Sequence, residues 1–473
     1  MRSKESERIV RIVGKRDEEG RRMMKRWMAV AAIFALVATA CTAGSEDPGP
    51  EPEPPSTTGE QEPVTLEMWG AWTGRELDQF NQIFEGFTEQ YPWITVRSRG
   101  GVGDQKIITA INSGEPPDVV LSFVLDNIGQ FCSSGAWQDL TPYMERDGFD
   151  LSQFPDAALQ YTSFGGSQCA LPFLTDAYGL YYNVDMFEEA GITEPPTTLS
   201  ELADVAKQLT VFGPDGSIER AGIVMATGYY ETTVLTMGSM FGVEWYSEDG
   251  TQSAIDDHPA WTAFFEWQKE FIADVYGEGD FQTGADRLER FVAGQGDEFS
   301  TANDFQEGRV AMNLDGEWRT AFIADEAPDL NYATAPFPVP DDRADQYGMG
   351  QIGGTIIGIP QGSDNPEEAW LLLQYMATDT DTLVYMANNV RNVPTTVAAL
   401  ESPDLDVTPQ FQTFLDIFQN PGSHYKQHSA IGSADQTTLA DFAARWQAGT
   451  ATDLEAGLQQ VAQQIDDQLA QAA

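Results

Sequence analysis

Aromatic and carboxylate side chains that follow apolar runs are the residues here best suited to chemistry. A polyhydroxylated molecule offers hydroxyls and a flat, weakly apolar C–H face. Carboxylates and amides bind the first, and aromatic rings cover the second. Trp69 and Trp72 close the opening run V-T-L-E-M-W-G-A-W. Strand alternation sends them to different environments, so Trp72, nearer the loop, is expected to meet a ligand and Trp69 to join the core. Ser122, Phe123 and Asp126 follow D-V-V-L. Asp126 either accepts from ligand hydroxyls or caps the next helix. Tyr229 and Tyr230 follow I-V-M-A, and one of the two is expected to face the ligand while the other packs. Gly353 and Gly354 would let backbone approach a bound molecule closely. Arg391 and Gln436 are further candidates without a sharp motif.

Other chemistries fit poorly. The sequence has no G-x-S-x-G elbow, H-E-x-x-H pair or phosphate loop. His424 and His428 have the i, i+4 spacing of helical zinc ligands. Pro421 and Gly422 precede them and no third ligand is evident, so they read as a surface pair. No run follows the EF-hand spacing. No metal and no cofactor is indicated. The carboxylates are so many that a glycosidase-like pair can be drawn anywhere, which makes such pairs uninformative.

The elements that must position these residues alternate strand and helix from Val64, as in a doubly wound α/β lobe. Gly74 to Gln90 places Leu77, Phe80, Ile83, Phe84 and Phe87 on one helical face. Gln105 to Asn112 predicts a second helix, closed by Ser113-Gly114. Thr198 with Glu201 reads as a capping box. Asn365, Pro366 and Glu368 read as a helix start. The stripe Leu454, Leu458, Val461, Ile465 and Leu469 predicts a packed C-terminal helix.

Met24 to Ala40 reads as a signal peptide, with Lys25 and Arg26 ahead of a short apolar stretch. Residues 1–22 are a long n-region or an upstream start. L-V-A-T-A before Cys41 resembles a lipobox, with Ala38 where leucine is usual; a plain secretory signal is the alternative. Residues 42–63 hold six prolines, six carboxylates and no basic residue, the composition of an extended tether. Cys132 and Cys169 either pair, as exported cysteines do, or stay buried as free thiols. Formal net charge is −48, and beyond residue 40 there are 69 acidic residues against 16 basic ones. Such a chain repels phosphate backbones, which argues against nucleic acid as a partner. An acidic surface poor in lysine also suits high salt.

Six segments together resemble the family 1 extracellular solute-binding proteins of ABC importers, the maltose-binding-like group. They are W-G-A-W-T-G; D-Q-K-I-I-T-A-I-N-S-G-E-P-P-D-V-V; A-L-P-F-L-T-D-A-Y-G-L-Y-Y-N-V-D-M-F; E-W-Y-S-E-D-G-T-Q-S-A-I-D; F-Q-E-G-R-V-A-M-N-L-D-G-E-W; and I-G-G-T-I-I-G-I-P with N-P-E-E-A-W. The resemblance runs from about Val64 to the end. It implies an α/β, two-lobed, type II periplasmic-binding-protein-like fold with three crossovers, expected near Leu171 to Leu174, Gly316 to Thr320 and the Asn365 helix. The expected organisation is a leader over 1–40, lipidated cysteine and tether over 41–63, lobe 1 over 64–172 and 319–368, and lobe 2 over 173–318 and 369–473. The resemblance makes Asp176 a ligand carboxylate and Trp318 a stacking platform. It implies a monomeric, exported, membrane-anchored protein that binds a carbohydrate and serves ABC permease subunits. Alternatives are the same fold with glycerol phosphate or a polyamine as ligand, and a surface-anchored glycan-active enzyme.

Overall fold

The computed structural model describes residues 61–472. The expected leader, Cys41 and the tether up to residue 60 lie outside the described residues. The first strands are β1 (Val64–Trp69), β2 (Ile94–Arg99) and β3 (Val119–Ser122), with β1 parallel to both neighbours. They are joined by α1 (Gly74–Gln90) and α2 (Asp104–Ser113). α1 buries Phe80, Ile83, Phe84 and Phe87 at helical spacing. α2 stops at Gly114, whose φ of 76° lets its amide reach back to Ala110 and Ile111. A short helix, α3 (Asn127–Ser133), follows β3. Its Cys132 is joined to Cys169, with Cα atoms 5.7 Å apart.

The central element is β4 (Leu171–Asn183), thirteen residues long and buried along nearly its whole length. Such a strand reads as an apolar run without alternation. Its first half pairs antiparallel with β7 (Ile352–Gly358), from Leu171↔Ile357 to Ala177↔Ile352. Its second half pairs with β5 (Met312–Gly316) and β6 (Tyr332–Ala335). The short β8 (Val393–Pro394) pairs with Thr175 and Leu174. These eight strands form one sheet, in which β7 lies between β4 and β3.

Two main apolar cores sit along this sheet. One gathers Leu66, Phe80, Leu121, Phe173, Ile357 and Trp370. The other gathers Leu180, Leu202, Trp261, Phe265, Met312 and Phe442. The expected lobe boundaries need correction. The helix α4 (Pro366–Thr378) puts Trp370, Leu372 and Leu373 into the first core, so residues from 369 to about 400 belong to lobe 1, not lobe 2. The Asn365 helix is therefore no crossover. Nor does Gly316 to Thr320 cross. The helix Arg319–Glu326 turns back and puts Ile323 into the second core, and Phe337 joins it there. The chain passes between cores within β4 at Ala177–Tyr178, a few residues later than expected. It returns ahead of β7, and leaves again between Leu400 and the helix Pro409–Gln419, whose Phe414 and Ile417 enter the second core.

The Thr198–Glu201 capping box is formed. Asn365 departs from expectation, because its side chain makes no cap bond and donates instead to Asp118 Oδ1 at 3.0 Å. The last helix, Leu454–Ala472, buries Leu458, Val461 and Ile465. His424 and His428 lie outside any helix, so their spacing carries no shared face. Among the described residues, no helix is long and apolar enough to cross a membrane.

Candidate ligand cleft

Asp176 and Tyr178 stand two apart on β4, so both side chains leave the same face of the sheet at the point where the chain passes between lobes. They line a cavity of about 170 Å³. From lobe 1 come Trp72 and Glu76 around the start of α1, Phe123 after β3, Thr355 of β7, and Asn392. From lobe 2 come Glu231, Phe299 and Trp318. A second cavity, about 200 Å³, shares Phe123, Tyr178 and Glu231 with the first and extends to Asp126, Gly353, Lys426 and Gln436.

Local sequence explains the aromatic walls. Gly316 ends β5, and a Cβ there would run into the ring of Trp318, so the glycine lets the indole fold back over the strand end. The Trp318 and Tyr178 rings meet edge to face, 5.5 Å apart at 90°. Trp72 is held by Phe80 at 4.9 Å and Phe123 at 5.3 Å. Trp69, by contrast, is half-buried under the Arg99 guanidinium, 5.0 Å away.

The polar wall is dominated by acceptors. Asn392 Nδ2 donates to Asp176 Oδ1 at 2.5 Å and to Glu317 Oε1 at 3.1 Å. Glu317 Oε2 also accepts from the amide of Ala177 at 2.8 Å. The outward Oδ1 of Asn392 and the Nε1 of Trp318 are buried without a partner. Burial pushes the carboxyls up. Glu76 rises to about 7, with Arg75 opposing and Asp176 adding to the shift. Asp176 rises to about 7 against the hydrogen bonds of Asn392 and Glu317. Glu231 rises to about 8 through burial, then through Asp315 and Asp176. Behind it Glu298 rises to about 9, through burial and then Glu231. Arg319 is fully buried behind this wall, donating to Asp315 at 2.7 Å, with its Nη2 3.6 Å from Glu298.

Asp126 lines the second cavity but is already engaged by neighbouring side chains. Its side chain makes no cap bond, and its carboxylate is occupied. Lys426 Nζ lies 2.9 Å from Asp126 Oδ1 and 2.6 Å from Asp435 Oδ2, and Gln436 Nε2 donates to the other Asp126 oxygen. Gln436 belongs to a helix, Ala434–Gln447, that packs on the second core, so this cluster joins the two lobes. His428 Nδ1 is 3.9 Å from Asp126. Burial and then Lys426 push His428 down to about 4, so it is neutral at pH 7 and the contact is no ion pair.

Of the residues singled out from sequence, Trp72, Phe123, Asp176 and Trp318 share the first cavity. Phe123, Asp126, Gly353 and Gln436 line the second. Four candidates lie elsewhere. Tyr229 is buried in the second core, its hydroxyl donating to Asp304 at 3.0 Å. Tyr230 turns at φ 45° and donates to the Gly296 carbonyl, which hands the cleft position to Glu231. A Cβ at Gly354 would sit 2.6 Å from the Leu174 carbonyl, so that glycine serves the contact of β7 with β4. Arg391 pairs with Asp406 at 2.6 Å and lines neither cavity. Sequence reasoning missed Glu76, Tyr178, Glu231 and Asn392. Tyr178 was findable, being two residues past Asp176 on one strand. The others had no local signal.

A model of the bacterial extracellular solute-binding proteins matches residues 71–382. The maltotriose-binding protein of Pyrococcus abyssi is 23% identical over 353 residues, 73% of this chain and 70% of that one. Among solved structures, CpMnBP1 with mannotriose bound superposes with a TM-score of 0.76 at 24% identity, over 87% of this chain and all of that one. The maltose-bound MalE3 of T. maritima gives 0.69 at 23% identity, over 85% and 99%.

Proposed function

Because the chain belongs to the bacterial extracellular solute-binding protein family, we propose that it captures a saccharide between its lobes and delivers it to an ABC importer. The fold is the two-lobed type II arrangement of that family's structures. The observation that carries the saccharide reading is the single cavity in which Trp72, Tyr178 and Trp318 face Glu76, Asp176 and Glu231. Aromatic faces cover the C–H side of a sugar ring, and carboxylates accept from its hydroxyls with the strength of charged acceptors. The names of the relatives, which bind maltotriose, mannotriose or maltose, support the same reading.

The remaining parts belong to this proposal. Cys41 carries the lipid, the segment that follows tethers the body to the outer face of the cytoplasmic membrane, and the protein works as a monomer. Binding closes the lobes by bending at Ala177–Tyr178, where β4 changes partners. Glycerol phosphate fits less well, because the first cavity has no basic side chain in its lining and Lys426 in the second is already shared by two carboxylates. A thermal-shift screen against mono-, di- and oligosaccharides is the test, since a ligand that binds only the folded chain raises its melting temperature. A screen in which no saccharide raises it overturns the saccharide reading. Slow turnover of an oligosaccharide, in place of stable 1:1 binding, would favour the glycan-active enzyme.

A further inference from the structure

Resting on the saccharide reading, we propose that the preferred ligand is a cationic saccharide, an amino sugar whose ammonium group is received by Glu76, Asp176 and Glu231. Each hydroxyl of a neutral sugar both donates and accepts, so a site made for it offers both kinds of partner. This cavity is lopsided. Three carboxylates line it and no basic side chain does. The Asn392 amide nitrogen is spent on Asp176 and Glu317, which leaves Oδ1, on a side chain 5% exposed, as one more acceptor without a partner. Besides the protons that burial leaves on the carboxyls, the side-chain donors are the Trp318 N–H and the hydroxyls of Tyr178 and Thr355.

Two arginines lie near the carboxyls and partly oppose their shifts, but neither lines the cavity. Arg319 serves Asp315 and Glu298. Arg75 is bound to Asp325 and to the Asn389 carbonyl. A neutral guest therefore brings no charge that would let these partly protonated carboxyls ionise in a buried space. One ammonium brings that charge and three donors at once. The rings of Trp72, Tyr178 and Trp318 favour the same guest, because an aromatic face attracts a cation. Their flat area favours a sugar ring over a linear polyamine.

The test is titration calorimetry of the full-length chain at pH 7 with a glucosamine disaccharide, its N-acetylated form, mannobiose and spermidine. The amino disaccharide should bind about tenfold or more tightly than the N-acetylated one. Its binding should release protons, read as a heat that depends on the buffer, because Glu76, Asp176 and Glu231 give up the protons that burial makes them hold. Glu298, Glu317 and Asp315 lie behind the lining, set against Arg319, and Arg75 stands beside Glu76; these groups act on the cavity carboxyls by charge without lining the cavity. The advantage should shrink toward pH 5. Glu231→Gln should reduce the ratio between the two forms several-fold. Neutral or N-acetylated sugars binding as well as the amino sugar overturns this inference and leaves the saccharide reading standing. Binding of spermidine alone overturns both, whereas binding of none of the four overturns this inference and leaves the saccharide reading to the wider screen.

Discussion

Trp318 reaches the cavity only because Gly316 clears its ring, and its indole is 8% exposed with the lobes as they stand. Trp318→Ala should weaken saccharide binding by about 1.5–3 kcal/mol, roughly ten- to a hundred-fold, while the folded circular-dichroism spectrum persists. Unchanged affinity by calorimetry would remove Trp318 from the site. Asp176 leads to a pH prediction. Glu76, Asp176 and Glu231 are pushed to about 7, 7 and 8, against roughly 4 in an unfolded chain. Between those values the folded state holds protons that the unfolded state gives up. The stability these three groups contribute to the unliganded protein therefore falls as pH rises through about 4 to 8. Ordinary surface carboxylates have finished titrating by about pH 6, so a melting temperature that falls from pH 6.5 to 8 reports the cleft itself. Asp176→Asn should flatten that slope, and a flat wild-type profile would contradict the account. At this scale the sequence revealed residue types better than directions. Trp72 and Phe123 were legible because each follows an apolar run, whereas Asp176 and Trp318 came from the family resemblance. Tyr229 and Tyr230 misled because the turn at Tyr230 shifts the exposed position by one, to Glu231.

The helices and strands were legible wherever a pattern is local. The buried face of α1, the glycine stop of α2 and the capping box at Thr198 all depend on residues within a few positions of one another. Which core an element joins depends on partners hundreds of residues away, and there the expectations failed. Nothing in P-E-E-A-W-L-L-L says that Trp370 packs with Leu66 and Phe80. Asn365 was expected to cap α4, but the carboxylate of Asp118, 247 residues earlier in the chain, claims it. The Cys132–Cys169 bridge belongs to this scale as well, since it ties α3 to the start of β4 across 37 residues. On the chain-entropy argument it contributes about 4 kcal/mol. Reductant should lower the melting temperature by several degrees while saccharide binding survives, because neither cysteine lines the cleft. An unchanged melting temperature with reductant, once free thiols have appeared, would show that the bridge does not stabilise the fold.

Over the whole molecule the dominant quantity is charge. A formal net charge of −48 destabilises the compact state through self-repulsion. At 1 M salt the screening length falls to about 3 Å, which removes most repulsion between exposed carboxylates. Melting temperature should therefore climb between dilute buffer and molar sodium chloride, and equal values in both would refute the argument. The cluster of Lys426 with Asp126 and Asp435 should resist that change, because it is buried and screened far less. The position of β7 between β3 and β4 has a consequence for the order in which the protein can assemble. On the side away from β1, Val120 to Ser122 find their partners at Ile356 to Gly358, more than 230 residues later. As the chain emerges, its first three strands and β4 wait beside a vacant place until three quarters of the sequence has appeared. Pairing across such distances is slow. The sheet that carries both cores therefore cannot close before most of the chain has emerged.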